Sequence, residues 1–123
     1  MHRIDANIIL RYVLDDHEEL SPRAADLIEK STVAVSTEIL CEVVYVLAGV
    51  YKVPRIEIRD TLKDLASHPS IEVLEEKVIC HAAKTYADKN IDFVDVLLLA
   101  HHQLHEDKVE TFDKKLQAFL QAH

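Results

Sequence analysis

A chain of 123 residues, 49% of them hydrophobic, has enough material for one core and too little for two. Its 22 acidic residues against 14 basic ones give a formal charge of −8, which excludes a protein that coats nucleic acid with a basic face. It does not exclude an enzyme acting on nucleic acid, because bound cations reverse the local sign of a carboxylate site.

Taken in order, Arg3-Ile4-Asp5-Ala6-Asn7 reads as a short strand passing into an apolar helix, Ile8 to Leu14, with Asp5 at the junction. After a charged loop, Ser21-Pro22 predicts an N-cap and first helical position for a helix to about Lys30. Thr32-Val33-Ala34-Val35 is β-branched and predicts a second strand. Ser36 or Thr37 caps a helix through Ile39 to Ala48 that ends near Gly49, the only glycine. Pro54 opens an amphipathic helix that His68-Pro69 stops. Ile71 to Leu74 predicts a third strand, and Glu76 to Ala87 a helix. Asp92 opens a very apolar helix to about His105, Lys108 to Thr111 predicts a last strand, and Lys114 to Ala122 closes the chain as a helix.

Short strands separated by helices imply an α/β protein whose parallel sheet is covered on both faces. In such sheets ligands bind at the carboxyl ends of strands, and acids recur there: Asp5, Glu42, Asp92, Asp95 and Asp113 all stand at strand ends or helix starts. The plain alternative is helix capping. Asp92 and Asp95 have cap and N3 spacing, which the helix dipole favours, and Glu42 shares a helical stripe with Glu38, Tyr45 and Gly49 that could simply face solvent. Clustered carboxylates repel, and a hard divalent cation resolves the repulsion. Mg²⁺ or Mn²⁺ takes oxygen ligands, acidifies water and stabilises phosphoryl charge, so phosphodiester hydrolysis is the natural chemistry.

The blocks Asp5-Ala6-Asn7-Ile8-Ile9-Leu10-Arg11-Tyr12, Val35-Ser36 leading to Glu42-Val43-Val44-Tyr45, Asp92-Phe93-Val94-Asp95-Val96-Leu97, and Thr111-Phe112-Asp113-Lys114-Lys115-Leu116 together resemble a PIN domain of the VapC toxin type. The resemblance covers essentially the whole chain, as a single domain over 1–123. It implies a three-layer α/β/α sandwich around a short parallel sheet, and a Mg²⁺- or Mn²⁺-dependent endoribonuclease. The family's acidic quartet falls on Asp5, Glu42, Asp95 and Asp113 as catalytic metal ligands. Asp92 matches an extra acid seen in part of the family, while Asn7 and Thr111 match residues that orient carboxylates. The resemblance further implies an RNA substrate, a small antitoxin partner and a homodimer. The chain departs from the pattern at Ala6, where a hydroxyl residue is usual, and at His105-Glu106-Asp107-Lys108, which lacks the usual glycine. A PIN nuclease of RNA processing and a non-catalytic interaction module are the alternatives.

The start Met1-His2-Arg3-Ile4-Asp5 carries an acid where a signal peptide would be apolar, and no apolar run of about 18 residues occurs, so no membrane association and a cytoplasmic location are expected. Cys41 and Cys80 lie in apolar segments without metal-ligand spacing and read as reduced core thiols. His101 and His105 have the i, i+4 spacing of a zinc pair but no accompanying HExxH glutamate. Arg11, Lys52, Arg55, Lys114 and Lys115 could hold an RNA backbone or be ordinary surface charges. Tyr45, Val50 and Tyr51 could line a groove for a partner helix or belong to the core.

Overall fold

The computed structural model describes residues 1–122. Its parallel sheet has the order β1 (His2–Arg3), β2 (Val33–Val35), β3 (Ile71–Val73), with Val33 paired to His2 on one side and to Ile71 on the other. The helices are α1 (Ala6–Leu14), α2 (Leu20–Lys30), α3 (Thr37–Gly49), α4 (Arg55–Ser67), α5 (Glu76–Asp88), α6 (Phe93–His105) and α7 (Lys114–Gln121). The arrangement is the expected three-layer α/β/α fold. All three side chains of β2 are buried, as a central parallel strand covered on both faces requires. β3 alternates buried Ile71 and Val73 with exposed Glu72, and β1 is an exposed edge.

Parallel strands end on one side of the sheet, and helices start there. α1 begins from Asp5 two residues after β1, and α3 from Ser36 directly after β2. The same end is closed between β2 and β3 by Leu74 N–H donating to the Val35 carbonyl at 2.9 Å and by the Thr37 hydroxyl donating to Glu75 at 2.8 Å. α4 packs on β3 and α5, α5 on α6, and α6 on α3 and α7. Ile9, Leu40, Ile58, Ile79, Leu99 and Leu116 are among the fully buried side chains of the core.

Four expectations need correction. The first strand is earlier and shorter than Arg3–Asn7, because the Asp5 carboxylate accepts the Ile8 N–H and starts the helix at once. α2 begins at Leu20, and Ser21 is not its cap. Glu19 holds the N-cap position without a capping side-chain bond, and His17 before it satisfies the turn, its Nδ1 accepting N–H groups from Glu19 and Leu20 at 3.2 and 2.9 Å, while buried Ser21 accepts the His17 N–H. Residues 108–111 form no strand. Lys108 and Glu110 leave Val109 as the segment's one apolar residue, too little to hold it on a sheet edge, and the segment runs as an irregular connection into α7. By contrast, the glycine-free turn expected at 105–108 is present, made by Glu106 at φ 57°, a left-handed C-cap that costs a side chain about 1–2 kcal/mol. Finally, Cys41 and Cys80 are free but only half-buried, and burial raises both thiol pKa values.

Candidate active site

The tip of α6 is fixed before its acids are reached. Ile91 and Phe93 on either side of Asp92 are buried, and Phe93 meets Tyr86 edge to face at 5.6 Å. Arg55, at the start of α4, lays its guanidinium 4.0 Å over the Tyr86 ring and donates to the carbonyls of Tyr86, Lys89 and Ile91 at 3.0, 2.8 and 2.9 Å. A cation there answers the carbonyl end of α5 and locks the turn leading to Asp92. Replacing Arg55 by Ala should therefore lower unfolding free energy by about 1.5–3 kcal/mol in urea titration, the range for hydrogen bonds to a charged group, and Arg55→Lys should not restore it. An unchanged urea midpoint in Arg55→Ala would refute this clasp.

Asp92 occupies the N-cap position of α6 and makes no capping hydrogen bond, so capping does not account for it. Asp95, in the first turn and half-buried, has its carboxyl pKa raised by desolvation first, then by the charges of Asp113 and Asp92. Asp113 opens α7, accepting the Leu116 N–H at 2.8 Å. Thr111 fixes that turn from behind, its hydroxyl oxygen accepting the Asp113 N–H at 3.1 Å and its carbonyl accepting from Gln117 at 2.7 Å. The starts of α6 and α7 thus bring the charges of Asp92 and Asp113 to bear on Asp95.

Asp5 lies in a neighbouring depression with Ser36 and Glu38. Glu38 was visible in the sequence only as part of a stripe. Its carboxylate pKa is lowered by its own backbone N–H, by the Ser36 hydroxyl and by Arg3, which makes it a settled anion beside Asp5. Glu42 is on the exposed face of α3 with Glu38, Tyr45 and Gly49, the stripe its spacing allowed, one turn beyond Glu38 and next to Cys41. Cys41 and Tyr45 in turn line a cleft of about 460 Å³ with Asp92, Phe93, Val94 and Asp95. α3 therefore runs from the Asp5 depression to the α6 acids. Asn7 is exposed in the first turn of α1, two residues beyond Asp5.

As placed, no three His, Cys, Asp or Glu side chains among the described residues stand close enough to share a metal ion. Yet among the described residues none of Asp5, Glu42, Asp92, Asp95 and Asp113 takes part in an ion pair. Carboxylate oxygens without basic partners, one of them already pushed towards protonation, fit a hard divalent cation in donor type and in charge. The basic residues do not neutralise them. Arg55 is committed to the α5–α6 turn, Arg11 to Asp16 at 2.8 Å and the Tyr51 hydroxyl at 3.0 Å, and the Lys115 ammonium to the Asn90 carbonyl; Lys52 and Lys114 remain exposed. Tyr45, Val50 and Tyr51 are surface residues, not core.

Residues 4–119 match the sequence model of the family described as PIN domain. No curated protein and no solved structure matches the chain.

Proposed function

The chain belongs to the PIN domain family, and on that premise we propose that it is a Mg²⁺- or Mn²⁺-dependent endoribonuclease serving as the toxin of a toxin–antitoxin pair. PIN domains are generally nucleases and generally use divalent metals. The observation that carries the reading is the set of acids at the starts of α1, α6 and α7 and on α3, none of them ion-paired among the described residues, with the Asp95 carboxyl pKa raised by burial first and then by the charges of Asp113 and Asp92.

In this reading Asp5, Glu42, Asp95 and Asp113 hold one or two ions, with Asp92 at the same mouth. A divalent cation bound there supplies charge for the phosphoryl oxygens and lowers the pKa of water. The chain's own residues supply position. Asp5 and Asp113 are each held by a helix N-terminus and Thr111 sets the turn that presents Asp113; the part given to Asn7, orienting a carboxylate or a metal water, rests on the resemblance alone. A carboxylate of the set accepts the proton of the attacking water, and in-line displacement opens the phosphodiester.

The toxin role rests on the four-block resemblance, and exposed Tyr45, Val50 and Tyr51 offer apolar surface for the antitoxin or a second copy of the chain. A cytoplasmic, single-domain protein accords with it; no helix among the described residues is long and apolar enough to cross a membrane. Purified protein should cut a mixed structured RNA in Mg²⁺ or Mn²⁺ and not in EDTA, and Asp5→Asn should remove the cleavage while keeping the native circular dichroism. Full cleavage in EDTA, or by Asp5→Asn, would refute the assignment.

A further inference from the structure

Phe112 is 102% exposed, so its ring touches almost nothing in the molecule. Single exposed apolar residues need no explanation in themselves. Here the backbone beneath the ring is pinned on both sides: Thr111 accepts from Asp113 and Gln117, and Asp113 accepts from Leu116. The ring is thus free while its base is fixed, and the next residue, Asp113, is one whose charge reaches Asp95. A second exposed aromatic, Tyr45 at 78%, lines the cleft that holds Asp92 and Asp95. An exposed ring beside Asp113, another in the cleft with Asp92 and Asp95, and exposed Lys114 following make the combination of flat apolar surface and local positive charge that unpaired nucleotides fit.

We propose that Phe112 is a base-stacking residue, taking a nucleobase of the RNA strand beside the scissile phosphate, with Tyr45 offering a second platform in the cleft of Asp92 and Asp95. The proposal rests on the nuclease reading above. Stacking on a pinned ring fixes the strand without reading its sequence, because every base has a π-face, and it requires the base to be unpaired at the cut.

The chain contains no tryptophan, so Phe112→Trp places a single tryptophan, excited selectively apart from the four tyrosines, at the proposed contact. A short unpaired RNA should quench its emission, and the same RNA annealed to its complement should not. In Mn²⁺-dependent cleavage, Phe112→Ala and Phe112→Leu should raise KM by about 5- to 150-fold, the span of base–aromatic stacking, with kcat little changed, and Phe112→Trp should recover the low KM. Leu separates stacking from mere apolar bulk. Native cleavage with the same KM in Ala, Leu and Trp variants would overturn the proposal and leave the nuclease reading standing. Phe112→Ala that alters sedimentation but not KM would overturn it in favour of a protein contact. A native protein that cuts no RNA in any metal would overturn both.

Discussion

Asp95→Asn should cleave RNA about 10²- to 10³-fold more slowly than the native protein, the usual effect of losing one pre-positioned charge-stabilising group, and in metal-free neutral buffer it should melt at a higher temperature. Both follow from one local conflict. The Asp95 carboxyl pKa is raised in the folded state by burial and by the charges of Asp113 and Asp92. A raised carboxyl pKa means the folded protein holds that proton more tightly than the unfolded chain does. The resulting stability is fully present below the ordinary carboxylate range and is lost as pH rises through the raised value. At neutral pH the cost of burying the ionised carboxylate and its repulsion by Asp113 and Asp92 remain. Melts in EDTA on both sides of the carboxylate range should therefore show the native protein gaining more on acidification than Asp95→Asn, with the variant's advantage confined to higher pH. An advantage independent of pH would place its cause elsewhere.

Leu99→Ala should lose about 2–5 kcal/mol of unfolding free energy, a large part of the roughly 5–15 kcal/mol that proteins of this kind possess. Leu99 lies one turn beyond Asp95 on α6 and is 1% exposed, against Val96 and Ala100 that are wholly buried. The cavity would sit directly under the acid-bearing turn. Urea unfolding followed by circular dichroism gives the value, and a loss below about 1 kcal/mol would mean that α6 is not anchored through this face.

The apolar run after Asp95 made α6 the most legible element, since five of its residues are buried. The same run hid that Val94 and Leu98 face solvent, because composition gives the amount of apolar surface and not its partner. β2 and β3 were legible through their β-branched residues. The strand expected at 108–111 was not, for its charged residues fit either a strand edge or an open connection, and only packing decides. The start of α2 was misread because a serine followed by proline is a common cap, whereas His17 in a charged loop gives no local signal that its Nδ1 accepts two backbone N–H groups.

Of the candidate site, Asp92, Asp95 and Asp113 could be joined from spacing and chain order, and in the structure the charges of Asp113 and Asp92 both reach Asp95. Asp5 and Asp113 also do what the plain alternative asked of them, since both cap helices; a cap and a metal ligand use different oxygens or different rotamers of one carboxylate. Glu42 was placed with the others by its position early in the helix after the second strand and by resemblance, and its exposed stripe on α3 does not by itself bring it to them. Arg55 was read as a candidate for RNA, but a guanidinium three carbonyls deep in a turn cannot be recognised from a sequence in which its acceptors lie more than thirty positions away.

The measurement that bears most directly on the carboxylate site is a calorimetric Mn²⁺ titration of the folded, partner-free protein beside Asp95→Asn. One or two ions per native chain, bound at least about tenfold more weakly by the variant, is the predicted result. Equal binding by both proteins, or none by the native one, would contradict the assignment of these acids to a metal.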